Sequence, residues 1–331
     1  MKNGSNTLRR NGLLTVLILC VPAVLFAAVV EEVIEVPVSV KTIYGQEVNQ
    51  RIKVTVFRDD QRKKAPYLVL NHGRPGNAAS ALEKMKRQRY SSNSKYFVSA
   101  GFVVLVPTRV GYGVSGGPDA EYGGSSCNGM SYPLVYAAAA DQTEYVLKAA
   151  ANLPYVDLSR GIVVGASYGG MTAIALSARA LPGLIGAVNF SGGGGGNPAT
   201  RPENPCSADG LTALCREYGA VSKVPTLWLY SENDRYWGAE LPRQWFNGFI
   251  EAGGKGRFVK LPPYKEDGHG IFAGDAGSWK LAFEEFLQMI GFKGQEAAGL
   301  ATKQKQHVEK SRDLEQTAAP AKKTADVLEI R

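Results

Sequence analysis

Ser167 lies at the centre of a G-x-S-x-G pattern, between Gly165 and Gly169. A β-branched run over 162–164 precedes it and an apolar, Ala-rich stretch follows, which predicts a strand, a sharp turn and a helix with the serine at the turn. Glycine suits both flanking positions because a side chain would collide where the strand and helix backbones approach each other. A Gly-rich turn without chemistry is the alternative, but the flanking elements favour Ser167 as a nucleophile.

A serine hydroxyl needs a base to accept its proton, and the pKa of histidine suits that task near neutral pH. The chain contains three histidines. His307 lies in a polar C-terminal stretch, and His72 directly follows a predicted strand. His269 lies in a loop between the last predicted strand and the last predicted helix, so it is the candidate base. An ordinary surface-loop histidine is the alternative.

The candidate base in turn needs a carboxylate that holds its imidazole in one tautomer and balances the positive charge that the ring gains when it accepts a proton. Asp234 directly follows a predicted strand and is the candidate. Glu232 and Asp267 are alternatives, although Asp267 is only two residues from His269 and is better suited to cap its loop. Along the chain, the candidates therefore follow the order serine, acid, histidine.

A tetrahedral acyl intermediate carries an oxyanion that requires hydrogen-bond donors already aimed at it. The backbone N–H of Tyr168, the residue after the candidate nucleophile, is one such donor. The second is expected from the loop after the strand over 66–70, with Arg74 as first choice and Gly73 as second. An ordinary strand-ending turn at 71–73 is the alternative.

Apolar segments that alternate with helical patterns must position these residues. They predict a mainly parallel sheet with helices on both faces, entered through an antiparallel hairpin at its edge. Ligands of such sheets bind beyond the carboxyl ends of the strands, where every candidate falls. A polar excursion over 197–223 is predicted as a small insertion or cap. The predicted strands are 33–40, 50–57, 66–70, 101–107, 162–164, 184–190, 224–230 and 257–261, and the predicted helices are 79–100, 134–153, 240–252 and 279–290.

Four motifs at these strand ends carry a resemblance to a known superfamily. The chain resembles the α/β hydrolases, and segments 232–234 and 268–270 are similar to their dienelactone-hydrolase-like branch, which neighbours the prolyl-oligopeptidase-type serine peptidases. The resemblance covers about residues 35–292. The motifs are His72-Gly73, Arg109-x-Gly111-x-Gly113-x-Ser115, Gly165-x-Ser167-x-Gly169 and the pair Asp234/His269.

This resemblance implies an α/β-hydrolase fold and an acyl-enzyme mechanism on Ser167, with no metal and no other cofactor. Dienelactone hydrolases use cysteine as the nucleophile, whereas serine stands here. We therefore expect a serine hydrolase that cleaves a carboxylic ester, or a related acyl bond, in a small molecule. A serine peptidase of the prolyl-oligopeptidase type and a non-catalytic binding protein on the same scaffold are the alternatives.

Composition divides the chain into a leader (1–28), one catalytic domain (33–292) and a polar tail (293–331). The formal net charge is +8, but part of the excess lies in the leader and tail. No basic run interleaved with aromatic residues occurs in the domain, so a nucleic-acid partner is not expected. The tail is expected to form a solvated helix or a disordered segment, with a partner-binding segment as the alternative.

The leader has a basic start and an almost wholly apolar stretch over 13–30. This pattern predicts a signal peptide cleaved near Ala27-Ala28, and hence a periplasmic or secreted protein. An uncleaved anchor that leaves the domain at the membrane outside the cytoplasm is one alternative. A lipid-modified Cys20 is a weaker one.

Three cysteines remain beyond the leader, an odd number for an oxidising compartment. Cys206 and Cys215 bracket a short polar loop and are the predicted disulfide. Cys127 paired with either of them is the alternative. None has the spacing of a zinc site.

Several aromatic residues fall in loops near the predicted site and are candidates for lining a substrate pocket. Packing against the domain's own surface is the alternative. These residues are Tyr112, Tyr122, Tyr132, Tyr168, Tyr236 and Trp237.

Overall fold

The computed structural model describes residues 28–75, 79–181 and 183–292, and it contains one eight-stranded sheet. The strands are β1 (Val29–Lys41), β2 (Glu47–Asp59), β3 (Ala65–Asn71), β4 (Val103–Thr108), β5 (Val156–Ala166), β6 (Leu184–Phe190), β7 (Thr226–Ser231) and β8 (Gly256–Leu261). Their order across the sheet is β1-β2-β4-β3-β5-β6-β7-β8. The β1–β2 and β2–β4 pairs are antiparallel, and all the other neighbours are parallel.

Helices cover both faces of this sheet. They are α1 (Ala79–Glu83), α2 (Ser91–Ser99), α3 (Tyr132–Ala150), α4 (Tyr168–Ser177), α5 (Ala208–Val221), α6 (Glu240–Glu251), α7 (Ile271–Gly274) and α8 (Lys280–Met289). Apolar residues of α3, α4, α5 and α6 share one core cluster with the sheet. Apolar residues of α2, α7 and α8 share the other. The sheet is therefore the middle of three layers.

The central strands are apolar because both of their faces are covered. All six residues of β4, VVLVPT, are buried, and so are all six of β7, TLWLYS. The outer strand β1 instead mixes buried and exposed positions, as its alternating sequence predicts. The predicted edge hairpin and the predicted parallel sheet are both confirmed.

Two predicted segments differ from the structure. The helix predicted over 79–100 is interrupted, so that α1 and α2 are separated by irregular chain. Within 197–223, the helix α5 lies in the helical layer against α6, where a Cβ on Gly219 would stand 2.1 Å from the Phe249 carbonyl oxygen. Only the loop that precedes α5 remains beside the carboxyl ends of the strands.

The disulfide joins Cys127 to Cys206, with the two Cα atoms 4.6 Å apart. The predicted pairing of Cys206 with Cys215 is therefore wrong. The predicted pair does not form because helix α5 places Cys215 in the core, where its thiol is free and fully buried. Cys206 precedes this helix in a loop that faces Cys127 instead.

In the described part of the chain, no helix is long and apolar enough to cross a bilayer. The same residues contain no cluster of three or more His, Cys, Asp or Glu side chains able to hold a metal ion. The predicted leader up to residue 27 and the predicted tail from residue 293 lie outside the described residues, together with Cys20 and His307.

Candidate active site

Ser167 forms the turn between β5 and α4, with φ 56° and ψ −124°. A non-glycine residue at positive φ is strained and persists only where its surroundings impose the conformation. Here the strand and helix pack too closely for side chains on either flank. A Cβ on Gly165 would lie 1.9 Å from the Gly169 carbonyl oxygen, and one on Gly169 would lie 2.1 Å from the Asn71 oxygen. Both glycines are therefore required sterically.

Asp234 and His269 meet at the carboxyl ends of β7 and β8. The imidazole Nδ1 lies 3.0 Å from Oδ2 and 3.2 Å from Oδ1 of Asp234, whose side chain is fully buried. Oδ1 also accepts the backbone N–H groups of Tyr236, at 2.9 Å, and Trp237, at 3.4 Å. Because an ionised carboxylate only accepts hydrogen bonds, Nδ1 carries the imidazole proton and Nε2 is left as the basic nitrogen.

His269 and Ser167 line the same pocket, of about 280 Å³. No hydrogen bond joins the Ser167 hydroxyl to the imidazole among the described residues. Catalytic hydrogen bonds are often long before substrate binds and tighten afterwards. The imidazole is held from its other sides by Tyr236, which stacks on it at 3.9 Å between ring centroids, and by Trp237, whose ring meets it edge-on at 5.4 Å.

The predicted oxyanion-hole residues lie around the same hydroxyl. Tyr168 is the first residue of α4, so its N–H has no partner within the helix. Gly73 approaches from the loop after β3, where an added Cβ would lie 3.0 Å from the Ser167 Cβ and 3.6 Å from its Oγ. Arg74 lines the pocket, but its guanidinium binds the Asp119 carboxylate through two hydrogen bonds.

The two alternative acids have other roles in the structure. Glu232 is exposed and pairs with Lys260 at 3.1 Å. Asp267 caps its loop: one carboxylate oxygen accepts the backbone N–H groups of His269 and Arg235, each at 3.0 Å. Neither carboxylate is hydrogen-bonded to the imidazole in the part of the chain described, which leaves Asp234 as the carboxylate at Nδ1.

His72 is fully buried, and both of its ring nitrogens are occupied. Nδ1 donates to the Gly73 carbonyl at 2.6 Å, and Nε2 accepts the Arg109 N–H at 3.1 Å. Burial, with a smaller contribution from the Arg109 charge, holds the pKa of His72 well below its ordinary value. The neutral ring therefore fixes the loop that carries Gly73.

A buried polar network continues from this histidine, and sequence reasoning missed its acidic members. The guanidinium of Arg109 donates to the His72 carbonyl at 2.9 Å and to both carboxylate oxygens of Glu121, and both side chains are fully buried. Tyr112 links the network to Arg74: its hydroxyl donates to Glu121 at 2.7 Å and accepts from Arg74 at 3.2 Å.

A second, smaller pocket is also lined by Ser167. We call it the Trp237 pocket; its volume is about 110 Å³ and its lining includes Arg74, Ser167, Tyr168, Pro198, Tyr236 and Trp237. The larger pocket described above we call the Met85 pocket; its lining includes Arg74, Met85, Tyr90, Ser167, His269 and Phe272. Ser167 lines both pockets, so the two pockets adjoin at this residue.

Solved structures share this arrangement of strands and helices. The acylaminoacyl peptidase of Pyrococcus horikoshii superposes with a TM-score of 0.51 at 13% identity over 81% of this chain and 42% of that one. An esterase superposes with a TM-score of 0.51 at 14% identity over 78% of this chain and all of that one. The chain has the α/β-hydrolase fold.

Dienelactone-hydrolase-like proteins are among the relatives with the α/β-hydrolase fold. A dienelactone hydrolase-like promiscuous phosphotriesterase from metagenomic libraries has a TM-score of 0.50 at 16% identity, over 78% of this chain and 97% of that one. In sequence, a protein named "Probable dipeptidyl-peptidase 5" from Aspergillus terreus is 35% identical over 111 residues, which span 34% of this chain and 14% of that protein. No family model matches the chain.

Within the α/β-hydrolase fold, the loop aromatics divide between two roles. Tyr168, Tyr236 and Trp237 line the Trp237 pocket. Tyr112 and Tyr132 are fully buried in the domain instead. Tyr122 is partly exposed and lines a different pocket, beside the β1–β2 turn. Pro198 belongs to the segment 197–223 that the sequence predicts as a cap, and it lines the Trp237 pocket. Sequence reasoning missed Met85 and Phe272, because nothing in their local patterns indicates a pocket.

Proposed function

We propose that this protein is an exported serine hydrolase that cleaves a carboxylic ester of a small molecule. Ser167 is the nucleophile, His269 the general base and Asp234 the carboxylate that orients it. The observation that carries the proposal is the pair formed by the buried Asp234 and His269, because it fixes the tautomer whose Nε2 accepts a proton, in a histidine that shares a pocket with Ser167.

Each step follows from these groups. His269 Nε2 takes the proton of the Ser167 hydroxyl as Oγ bonds to the substrate carbonyl carbon, and the carbonyl oxygen becomes an oxyanion. The oxyanion collapses, the bond from carbon to the alcohol oxygen breaks, and the proton on Nε2 passes to the departing alcohol. Water then attacks the acyl-enzyme, giving its proton to His269, and the acid leaves as the proton returns to Ser167.

The oxyanion is stabilised by backbone N–H groups. We assign one to Tyr168, which opens the helix α4 and adds the positive end of the helix dipole. The second comes from the loop after β3, with Arg74 as first choice and Gly73 as second. The His72–Arg109–Glu121 network supports this loop from behind, because both ring nitrogens of His72 are bonded to backbone on either side.

An ester substrate is favoured over a peptide with a free amino terminus. An ammonium group in a pocket needs an anionic partner, since a buried unpaired charge is costly. Among the described residues that line the two pockets there is no Asp or Glu, and the charged side chain present, Arg74, is already paired with Asp119. A serine peptidase remains the second candidate because the local sequence match and two structural relatives carry peptidase names.

Export is supported by the Cys127–Cys206 disulfide, since stable disulfides form in oxidising compartments. We infer that the leader is a signal peptide and that the protein is periplasmic or secreted, with a retained membrane anchor as the alternative. Its partner is a small-molecule ester. No cofactor and no nucleic acid are required by the proposed steps.

The test compares Ser167→Ala with Ser191→Ala. Ser191 is a matched control because it too follows a strand at positive φ, 47°, and does not line either pocket. Hydrolysis of short 4-nitrophenyl esters and labelling by a fluorophosphonate are expected to disappear in Ser167→Ala and to persist in Ser191→Ala. Undiminished hydrolysis by Ser167→Ala would refute the assignment.

A panel of labelled peptides, run beside the esters, separates the two candidate functions. Cleavage of peptides without cleavage of esters would favour the peptidase. Failure of the wild-type protein to take up the fluorophosphonate would favour the third hypothesis, a non-catalytic binding protein on the hydrolase scaffold.

A further inference from the structure

The two pockets beside Ser167 differ in which part of the catalytic machinery they contain. His269 lines the Met85 pocket and does not line the Trp237 pocket. Tyr168, whose N–H is assigned to the oxyanion, lines the Trp237 pocket and does not line the Met85 pocket. Arg74, Pro75, Ser167 and Tyr236 line both pockets. This asymmetry orients a substrate.

We propose that the Trp237 pocket binds the acyl group and the Met85 pocket binds the alcohol, so that the substrate is a short-acyl ester of a larger, apolar alcohol. The proposal rests on the proposed function. His269 must deliver its proton to the alcohol oxygen, so the alcohol has to leave on the side of the imidazole. The acyl group then extends away from His269, along the side that Tyr168 lines.

The size of the Trp237 pocket limits the acyl chain. Its volume is about 110 Å³, whereas a dry protein cavity of about 150 Å³ holds benzene, so the pocket accommodates an acyl chain of about four carbons or fewer. Longer chains would have to displace the walls or extend into solvent.

The walls of the Trp237 pocket have little freedom to move. The indole of Trp237 is buried, donates its N–H to the Ser191 carbonyl at 2.8 Å and packs against Trp245. The backbone that follows β6 lies directly against the ring: Cβ atoms on Gly193 or Gly196 would stand 2.7 Å and 2.6 Å from it. Because close-packed walls resist overpacking, an extra methylene is costly here.

The Met85 pocket is larger, at about 280 Å³, and its side chains suit an apolar group. Tyr90 and Phe272 pack against each other with ring centroids 5.5 Å apart and offer aromatic surface. Met85 adds an unbranched, adaptable side chain. No carboxylate lines this pocket among the described residues, and the Arg74 charge is balanced by Asp119, so an uncharged alcohol fits.

The first experiment measures kcat/KM for two series of esters. From 4-nitrophenyl butyrate to octanoate we expect a fall of about tenfold or more, the discrimination that a filled apolar pocket provides. From ethyl acetate to benzyl and naphthylmethyl acetate, whose alcohols differ little in acidity, we expect no fall. An octanoate value equal to or above the butyrate value overturns the proposal, and so does a loss along the alcohol series.

The second experiment alters each pocket separately. Trp237→Leu and Pro198→Ala enlarge the Trp237 pocket and should raise the octanoate-to-butyrate ratio about tenfold without changing the benzyl-to-ethyl ratio. Ala273 also lines the Met85 pocket. Ala273→Phe narrows this pocket and should lower the benzyl-to-ethyl ratio alone. A ratio of kcat/KM values measured on one preparation is unaffected by the fraction of that preparation that is unfolded. If Trp237→Leu does not fold, Pro198→Ala still tests the Trp237 pocket, because Pro198 lies on a partly exposed loop. The proposal is refuted if Trp237→Leu and Pro198→Ala change the benzyl-to-ethyl ratio while Ala273→Phe changes the octanoate-to-butyrate ratio.

Ser167→Ala distinguishes failure of this proposal from failure of the proposed function. If ester hydrolysis survives in Ser167→Ala, the proposed function fails and the pocket assignment fails with it. If hydrolysis and fluorophosphonate labelling both depend on Ser167 but long acyl chains are preferred, the serine hydrolase stands and the pocket assignment alone is wrong.

Discussion

His72 and His269 both lie in loops at the carboxyl ends of parallel strands, yet their surroundings prepare them for opposite tasks. His72 is fully buried, and its two ring nitrogens are used by Gly73 and Arg109. His269 retains a partly exposed side chain, and Asp234 is bonded to its Nδ1. One ring has no capacity left for a substrate, whereas the other keeps a basic nitrogen at a pocket.

The same contrast extends to the carboxylates beside these rings. Glu121 lies in a closed network with Arg109 and Tyr112, in which every charge is paired. Among the described residues, Asp234 pairs with no Lys or Arg side chain and accepts from two backbone N–H groups and the imidazole. A fully paired network gives rigidity, while a carboxylate beside an imidazole stabilises the positive charge that would form on that ring in the proposed proton transfer.

Removing the Asp234 charge should have the largest effect of the changes that test this contrast. Asp234→Asn keeps the shape of the side chain but favours the wrong imidazole tautomer, and we expect kcat to fall by about 10⁴-fold. The measurement is the steady-state hydrolysis of 4-nitrophenyl butyrate. Asp267→Asn, which alters the loop cap beside the same histidine, is the control and should lose far less; equal losses in both variants would contradict the role of Asp234.

Removing the Glu121 charge should act on stability rather than on chemistry. Glu121→Gln leaves the Arg109 guanidinium buried without a counter-ion, and we expect the free energy of unfolding to fall by about 3–5 kcal/mol. Urea unfolding measures this loss. Glu144→Gln removes one partner of the partly exposed Arg179 and should cost less than about 1 kcal/mol. A similar loss of unfolding free energy in the two variants would show that the buried network of Arg109, Glu121 and Tyr112 does not stabilise this region.

Opening the disulfide should have the next largest effect. Cys127 and Cys206 are 79 residues apart, so their bond constrains a long loop of the unfolded chain, and reduction should lower the free energy of unfolding by about 2–4 kcal/mol. The comparison is unfolding with and without dithiothreitol. In the double variant Cys127→Ser, Cys206→Ser, the free energy of unfolding should not change when dithiothreitol is added. A further decrease on reduction would show that a group other than this disulfide is responsible.

The smallest effect concerns pH and the low pKa of His72. Unfolding exposes the ring, which then binds a proton below about pH 6.5, while the folded ring stays neutral. The stability that the neutral, buried ring contributes is fully present above about pH 6.5. It declines as the pH falls towards the pKa of the ring in the folded protein, by at most about 1.4 kcal/mol per pH unit. In His72→Asn, the unfolding free energy should depend less steeply on pH between pH 6.5 and 5 than it does in the wild-type protein. Identical slopes in the two proteins would contradict the low pKa of His72.

The parts of the fold that can be predicted from sequence are those with a local physical cause. β4 and β7 are continuous apolar runs because both faces are covered, and Gly165 and Gly169 mark close backbone contacts that exclude side chains. α5 was missed because its helical pattern is interrupted by glycine, and Gly219 is needed there for a contact with α6 that no local pattern reveals.

The same distinction applies to the candidate site. Ser167, Asp234 and His269 each follow a strand, so topology brings them to one edge of the sheet and their types suggest the roles. Glu121 and Pro198 lie in long irregular loops, where neither periodicity nor a motif relates them to distant residues. Their positions depend on how those loops pack, which is decided by contacts far apart in the chain.

The buried thiol of Cys215 sets a condition on how the chain acquires its crosslink. Cys206 is nine residues from Cys215 but 79 from its native partner, and short loops of flexible chain close more readily than long ones. An oxidant acting on the unfolded polypeptide would therefore favour the incorrect pair. Correct oxidation requires α5 to dock first and shelter its thiol, or an isomerase to reshuffle the bond afterwards, so the yield of native protein should depend on whether folding precedes oxidation.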